Sequence, residues 1–513
     1  MTRLHVVVGM TAIQRAFEER PLLAVVVLAA SVRVVAAVFS RGFLAIDDHH
    51  VLVDAADRLV GGPGLDTGFV RSILYPGTVA LIMWATQAID DPSPATQLLV
   101  VRLVQAVYSL CAVYFAYRVL ERLAGPRTAL LGGLLTATFF VLPITSVHQF
   151  EEAVCQVPLL ASAWWILKTP EPRRATLLAL LSGTALGLAL VVRFPLITFV
   201  VPFALWVVWR EPFRWRGAAF LAGVTLVLAL QGWSNQLVNH EWGYSFQKYY
   251  GPLVHFPPRI LTQSEGYPHG APWTYAAVLL AAFLPPFSLV LLTAAARGGT
   301  ELPLLGVPTL VFLVAQSVIA NRQERFLLPV LPVILVLATL GFDAVAAWFA
   351  RRSWMGVYAG LWKYYWAVNG ALLVGTLFVY GKKDRVAPLV YVQARHNATG
   401  VVVAEFTYTF PVPVYYLGWP RPPVFVLEDR NAVARDAATA RAAKPSPNYV
   451  ILYSDSVPAD TRLLERALGV RLASATAVRP SLGDRLAHLI NPAHNHATEA
   501  VVLSVTHLTA APP

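Results

Sequence analysis

Charged residues are scarce in this chain of 513: Asp, Glu, Lys and Arg make up 13% of it, while 57% is apolar. An ordinary soluble domain carries about 25% charge, so a soluble enzyme is excluded and a polytopic membrane protein is expected. Cysteine is scarcer still, with Cys111 and Cys155 alone, both inside apolar runs. That excludes a disulfide framework and a cysteine metal site. Internal repeats and low-complexity tracts are absent, which disfavours solenoids and repeat-built transporters. A net charge of +11 suggests nucleic acid at first sight, but the Arg and Lys never gather on one face with interleaved aromatics, so no nucleic-acid partner is expected. A small-residue cleavage site is also missing after the first apolar run, Leu22 to Phe39, which follows Arg15 and Arg20. It reads as a retained anchor with a cytoplasmic N-terminus.

What the chain has in abundance is long apolar runs separated by short basic loops. Arg122 with Arg127, Lys168 with Arg173 and Arg174, Arg210 with Arg214 and Arg216, Arg297, and Arg351 with Arg352 mark cytoplasmic loops by the positive-inside rule. Helices are then expected near 22–39, 99–120, 128–145, 151–167, 175–192, 194–209, 217–236, 273–295, 303–320, 326–349 and 363–380, about eleven crossings. The run from Ile73 to Ile89 fits the alternation only as a juxtamembrane or re-entrant helix on the external side, next to the acidic Asp90 and Asp91. Residues 1–380 form the transmembrane domain, with a first external loop at 40–72. Residues 381–513 change character, with strand-like runs Thr399–Phe406, Pro423–Leu427, Tyr449–Tyr453 and Ala500–Val505, and read as a small soluble α/β domain on the external side.

Chemistry is expected on the external face. Asp47 and Asp48 stand at the exit of the first span, followed at once by His49 and His50. Carboxylates are costly in hydrocarbon, so an acid pair beside the bilayer faces water, substrate or a partner charge. Arg71, Arg102, Arg193, Arg322 and Arg325 sit near external span ends, where the positive-inside rule does not place them. Singly each could reach lipid headgroups or pair with a carboxylate such as Glu324. Five on one face favour an anion, with a lipid phosphate as the natural partner. Glu151 and Glu152 open a span, a place that suits helix capping as well as a second catalytic carboxylate. The aromatic loop around Lys248 suits an interfacial belt or a sugar-stacking gate. His49, His50 and His148 lack the HxxxH or HExxH spacing that would organise a metal, so no cofactor is expected.

One segment resembles a known family. NRQERFLLPVLP (Asn321 to Pro332) is similar to the HKExRFxxPxxP signature of glycosyltransferase family 22, the membrane mannosyltransferases of lipid-linked oligosaccharide and GPI-anchor assembly. IDDHHVLVDAADRLVGG (Ile46 to Gly62) resembles the family's PDExxQxxExAHxLxxG loop, and DTGFVRSILYP (Asp66 to Pro76) its TWEWxxxIRSxxxP segment. Weaker likenesses occur at Ser146 to Leu160 and at Gly270 to Tyr275. The chain departs from the pattern where Asn321 stands for His, Gln323 for Glu, and Asp48 for the Glu after the key Asp, which suggests a distant, prokaryotic branch. The resemblance implies the GT-C fold and an inverting mannosyltransferase that takes a sugar from a polyprenyl-phosphate donor. The acceptor is lipid-linked or belongs to the cell envelope, and the work is done on the external, periplasmic or lumenal side of the bilayer. It places Asp47 as the base that takes the acceptor proton, with Asp48 orienting it, and Arg71, Arg322, Arg325 and Arg193 on the donor phosphate. His49, His50, Glu151, Glu152, Lys248 and Glu324 are acceptor-side or accessory candidates. Transfer of another sugar (arabinosyl, glucosyl) and a transporter or flippase remain the competing readings.

Overall fold

The computed structural model describes residues 19–46, 48–61, 72–89, 92–168, 172–210, 214–255, 271–319, 321–492 and 495–506. The chain divides into two compact units. The first comprises Met1–Ala37, Gly68–Tyr75 and Leu103–Leu377, and the second Val38–Thr67, Pro76–Arg102 and Phe378–Pro513.

A backbone in hydrocarbon can satisfy its own N–H and C=O groups only in a helix or a closed barrel, and the apolar runs are accordingly helical. Among the described residues, five helices are long and apolar enough to cross a bilayer: Pro21–Phe39, Pro94–Thr138, Arg174–Val192, Trp215–Asn239 and Leu331–Arg351. A sixth span results if the bent pair Thr274–Ala282 and Phe287–Glu301 counts as one. The expected eleven crossings are therefore not eleven long helices. Two expected spans share the 45-residue helix Pro94–Thr138, broken only at Gly125 (φ 84°) beside Pro126. The 273–295 run turns through 112° at Leu284–Pro286, where consecutive prolines cannot continue the hydrogen-bond ladder. The 151–167 run is interrupted at Cys155 between Glu151–Val154 and Gln156–Leu167. Phe194–Arg210 and Pro303–Val318 are apolar but shorter. The helix Leu74–Ile89 has 16 residues, below the ~20 that a perpendicular span needs.

Helices of the first unit meet through small residues, as is usual where lipid removes the hydrophobic drive. A methyl group on Gly183 would lie 1.8 Å from the Phe220 carbonyl oxygen, and one on Gly298 1.9 Å from that of Leu337. Arg33 is buried at the middle of Pro21–Phe39. Its Nε donates to Ser109 Oγ at 2.9 Å and its Nη1 to the Ala137 carbonyl at 3.0 Å. These bonds satisfy a charge that would be costly at bilayer depth and fasten the first helix to Pro94–Thr138.

The second unit contains a five-stranded mixed sheet. With β1 Arg41–Gly42 and β2 Tyr380–Gly381 forming a separate two-stranded bridge, the sheet order is β4–β3–β5–β7–β6. Its strands are β3 Val401–Glu405, β4 Val424–Leu427, β5 Tyr449–Tyr453, β6 Arg471–Val478 and β7 Ala500–Thr506. β3 runs parallel to β4 and β5, while β7 runs antiparallel to β5 and β6. β3 and β5 are buried along their whole length, and such strands read as continuous apolar runs. Val402, Ala404, Val450 and Leu452 pack with Val433, Ala437 and Leu464 from the helices Val433–Ala442 and Val457–Leu468. Gly42 is required in the bridge: its φ is +71°, and a Cβ there would stand 1.9 Å from the Gly381 carbonyl oxygen.

Candidate active site

Within the second unit the loop that follows the first long helix forms a π-helical turn, Asp48–Val53, that runs directly into the helix Asp54–Leu59. Asp47 lies outside the described residues, as does Arg71. Asp48 is buried and anchors the turn, since Oδ2 accepts the Leu44 N–H at 3.0 Å and Oδ1 the Ala45 N–H at 3.2 Å. A π-turn bonds residue i to i+5, so it brings His49 beside Asp54. His49 Nε2 lies 3.8 Å from Asp54 Oδ1, and His50 Nδ1 lies 3.1 Å from Asp54 Oδ2. The His49 ring is stacked between Phe43 (centroids 5.0 Å apart) and Tyr416 (5.2 Å). Burial holds this imidazole down at about 3 against the opposing pull of Asp54, which keeps it neutral. One turn on, Asp57 meets Arg421 Nη2 at 2.9 Å. Burial pushes the Asp57 carboxyl up, and Arg421 partly offsets that.

The same unit holds a cavity of 290 Å³ lined by Arg41, Arg102, Tyr380 and Tyr416, with Leu99 and Val386 among its apolar walls. Neither Asp nor Glu lines it. Burial raises the Tyr380 hydroxyl to about 12 despite the opposing guanidiniums of Arg41 and Arg102. Two guanidiniums facing an apolar-walled space suit an anionic group carried on a greasy chain.

In the first unit an acid pair opens the short helix Glu151–Val154, and both carboxylates are buried. Arg193 spans them, with Nη1 3.5 Å from Glu151 Oε2 and Nη2 3.1 Å from Glu152 Oε1. Arg325 Nε lies 4.0 Å from the same Glu152 oxygen and donates to Gln323 Oε1 at 2.8 Å. Both guanidiniums flank the ring of Phe326, at 4.7 and 5.5 Å from its centroid. Helix N-termini favour acids, but the strongest partners of this pair are guanidiniums.

Of the residues singled out in the sequence, Arg193, Arg325, Glu151 and Glu152 are brought together in the first unit, and Asp48, His49 and His50 in the second. Arg322 instead donates Nε and Nη2 to the Ser317 carbonyl at 3.1 and 2.8 Å. Glu324 is exposed, and Lys248 is exposed over the Tyr244 ring at 5.5 Å. Asp54, Asp57, Arg421 and Arg41 were not singled out. Only the closeness of Asp54 and Asp57 to the Asp47–His50 run could have marked them, and Arg421 carries no local signal at all.

The class of the protein, a membrane glycosyltransferase with the GT-C fold, follows from comparison with known proteins. Residues 24–416 match the model of the Alg9-like mannosyltransferase family, and the chain belongs to that family. No curated protein sequence matches the chain. Among solved structures it is similar to ArnT from Cupriavidus metallidurans bound to undecaprenyl phosphate, with 14% identity, 97% of this chain and 99% of that chain covered, and a TM-score of 0.56. The apo state of the same enzyme gives 14% identity, 97% and 100% coverage, and a TM-score of 0.54. The arabinofuranosyltransferase AftD from Mycobacteria shares 15% identity over 95% of this chain and 40% of its own, with a TM-score of 0.51.

Proposed function

We propose that the chain is an inverting mannosyltransferase that moves mannose from a polyprenyl-phosphate donor to a lipid-linked or cell-envelope acceptor on the external side of the membrane. The observation that carries this reading is the family match over residues 24–416, which includes both the Asp47–Asp48 loop and the Arg322–Arg325 turn. Sugar transfer from a phosphate needs a base for the acceptor hydroxyl and cations for the departing phosphate, but no general acid. Asp47 is assigned as base. Asp48, whose two oxygens are held by backbone amides, positions it. Arg71, Arg322 and Arg325, with Arg193, take the donor phosphate, and His49, His50, Glu151, Glu152, Lys248 and Glu324 act on the acceptor side or as supports. The undecaprenyl phosphate bound to ArnT supports a lipid of that class here, and the Arg41–Arg102 cavity is chemically suited to a lipid phosphate. The domain after residue 381 is placed on the external side with the active site.

The test is radiolabel transfer from a synthetic mannosyl phospholipid to extracted membrane lipids. Asp47→Asn is expected to abolish transfer while leaving protein level and donor binding intact. Substantial retained activity removes Asp47 from the role of base, and transfer of an arabinosyl but not a mannosyl donor by the intact chain overturns the sugar assignment.

A further inference from the structure

His49 and His50 enter the reading above only on the acceptor side or as supports and Asp54 not at all, and the His50 Nδ1–Asp54 Oδ2 contact at 3.1 Å leaves other polar atoms of the cluster unused. One ligand-type atom from each of the three residues lies within 4.8 Å of the others, and all three side chains are buried. Yet His49 Nε2, His50 Nε2 and Asp54 Oδ1 have no hydrogen-bond partner among the described residues. A buried polar group without a partner carries a desolvation cost, and here three such atoms occur on one turn. Two ligands bound to a tetrahedral ion at the usual ~2.0–2.1 Å stand about 3.4 Å apart. His49 Nε2 stands 3.8 Å from Asp54 Oδ1 and His50 Nδ1 3.1 Å from Asp54 Oδ2, so each imidazole meets a different oxygen of the one carboxylate at a separation of this order.

We propose that His49, His50 and Asp54 bind one divalent transition-metal ion, and that the ion locks the π-helical turn of the first loop onto the helix that follows it. Two imidazoles and one carboxylate are the donor set of zinc and its first-row neighbours and not of calcium or magnesium, which prefer oxygen alone. Zinc fits best, because it takes imidazole nitrogen and carboxylate oxygen together and imposes no geometric preference of its own. The π-turn supplies the spacing for one of the two rings: His49 reaches Asp54 at i+5, the register of a π-turn, while His50 reaches it at i+4, as in a regular helix. The stacked rings of Phe43 and Tyr416 against His49 wall off the site, as suits an ion with a structural role. Asp48, one residue upstream, keeps its backbone-amide partners, so the metal acts on the loop's shape and does not replace the acid next to it.

The proposal is independent of sugar transfer and is tested without it. Tag-free full-length protein, purified in detergent, is analysed for bound metal by mass spectrometry and then stripped with a chelator. About one zinc per chain is expected, with a fall in melting temperature on stripping that zinc restores and magnesium does not. Cobalt added to the stripped protein should give the visible absorption of a tetrahedral nitrogen–oxygen site. His50→Ala is expected to lose the stoichiometric metal, and His50→Cys to keep it. Intact protein that is metal-free and whose melting temperature ignores both chelator and zinc overturns the proposal, and so does a His50→Ala variant that keeps full occupancy. If the variants fail to fold, the strip-and-restore experiment on the intact chain decides alone.

Discussion

The two units neutralise their buried acids in opposite ways. In the first, Glu151 and Glu152 are balanced by Arg193 and Arg325, groups brought from other helices. In the second, Asp48 is satisfied by amides three and four residues away, and one oxygen of Asp54 meets His50, four residues before it. In this loop Asp57 depends on a distant cation, Arg421, as Glu405 does on Arg385 further along the unit. A carboxylate that relies on distant charge fails when its partner is removed, whereas one held by its own turn survives remote change. The first loop is thus fixed mostly from within, and the first unit's charged site holds only while its helices stay packed.

The largest effect is expected from Glu152→Ala. It leaves Arg193 and Arg325 facing each other beside Phe326, and loss of one partner from a buried pair costs about 3–5 kcal/mol. Unfolding of detergent-solubilised protein measures it. Because guanidinium keeps its proton, the deficit should be the same from pH 5 to pH 8. A double variant, Glu152→Ala with Arg325→Met, should recover part of it while Glu151 keeps Arg193, and failure to do so would separate the guanidinium from the loss.

Arg421→Ala sharpens the contrast. It strands Asp57, but a carboxyl can take up a proton, so the loss is smaller, about 2–4 kcal/mol near neutrality. Burial already raises this carboxyl above its unfolded value. Removing the opposing cation raises it further, so stability is intact below the unfolded pKa and is lost as pH rises through the folded one. The variant should therefore approach the parent protein in acid, as denaturant titrations at several pH values will show. An equal deficit in acid would remove the ionised carboxylate as the cause.

Arg325→Ala is expected to raise the donor concentration for half-maximal transfer roughly tenfold, the equivalent of one charge-assisted hydrogen bond at ~1.5 kcal/mol. An unchanged donor dependence would take Arg325 off the phosphate. The smallest effect belongs to Ser481→Ala. Ser481 and Asp484 form a reciprocal capping box on the helix Leu482–Ile490, so loss of the hydroxyl should cost about 1 kcal/mol.

Helical segments were legible in the sequence because apolar length is a direct consequence of the solvent. Their division was less so: the break at Gly125, the turn at Leu284–Pro286 and the interruption at Cys155 depend on local backbone choices that hydropathy averages away. Strands β3, β5 and β7 announced themselves as branched apolar runs. β6 did not, since its Arg471–Val478 sequence RLASATAV is rich in alanine and half exposed, and an edge strand of that kind has little intrinsic preference. At the candidate site, Glu151, Glu152, Arg193 and Arg325 could be chosen one by one by their charge and position, but their mutual pairing could not. The π-turn was invisible because no sequence periodicity encodes an i+5 register, so two histidines that looked unorganised turn out to face one aspartate.

The parallel bridge of Arg41–Gly42 with Tyr380–Gly381 joins the outlet of the first long helix to the stretch just past Met355–Leu377, residues more than three hundred positions apart in the chain. Its two glycines admit no side chain without pushing carbonyls aside. A shortened protein ending at residue 379 would thus deprive the loop after the first long helix of its tether, so any truncation has to keep Tyr380 and Gly381.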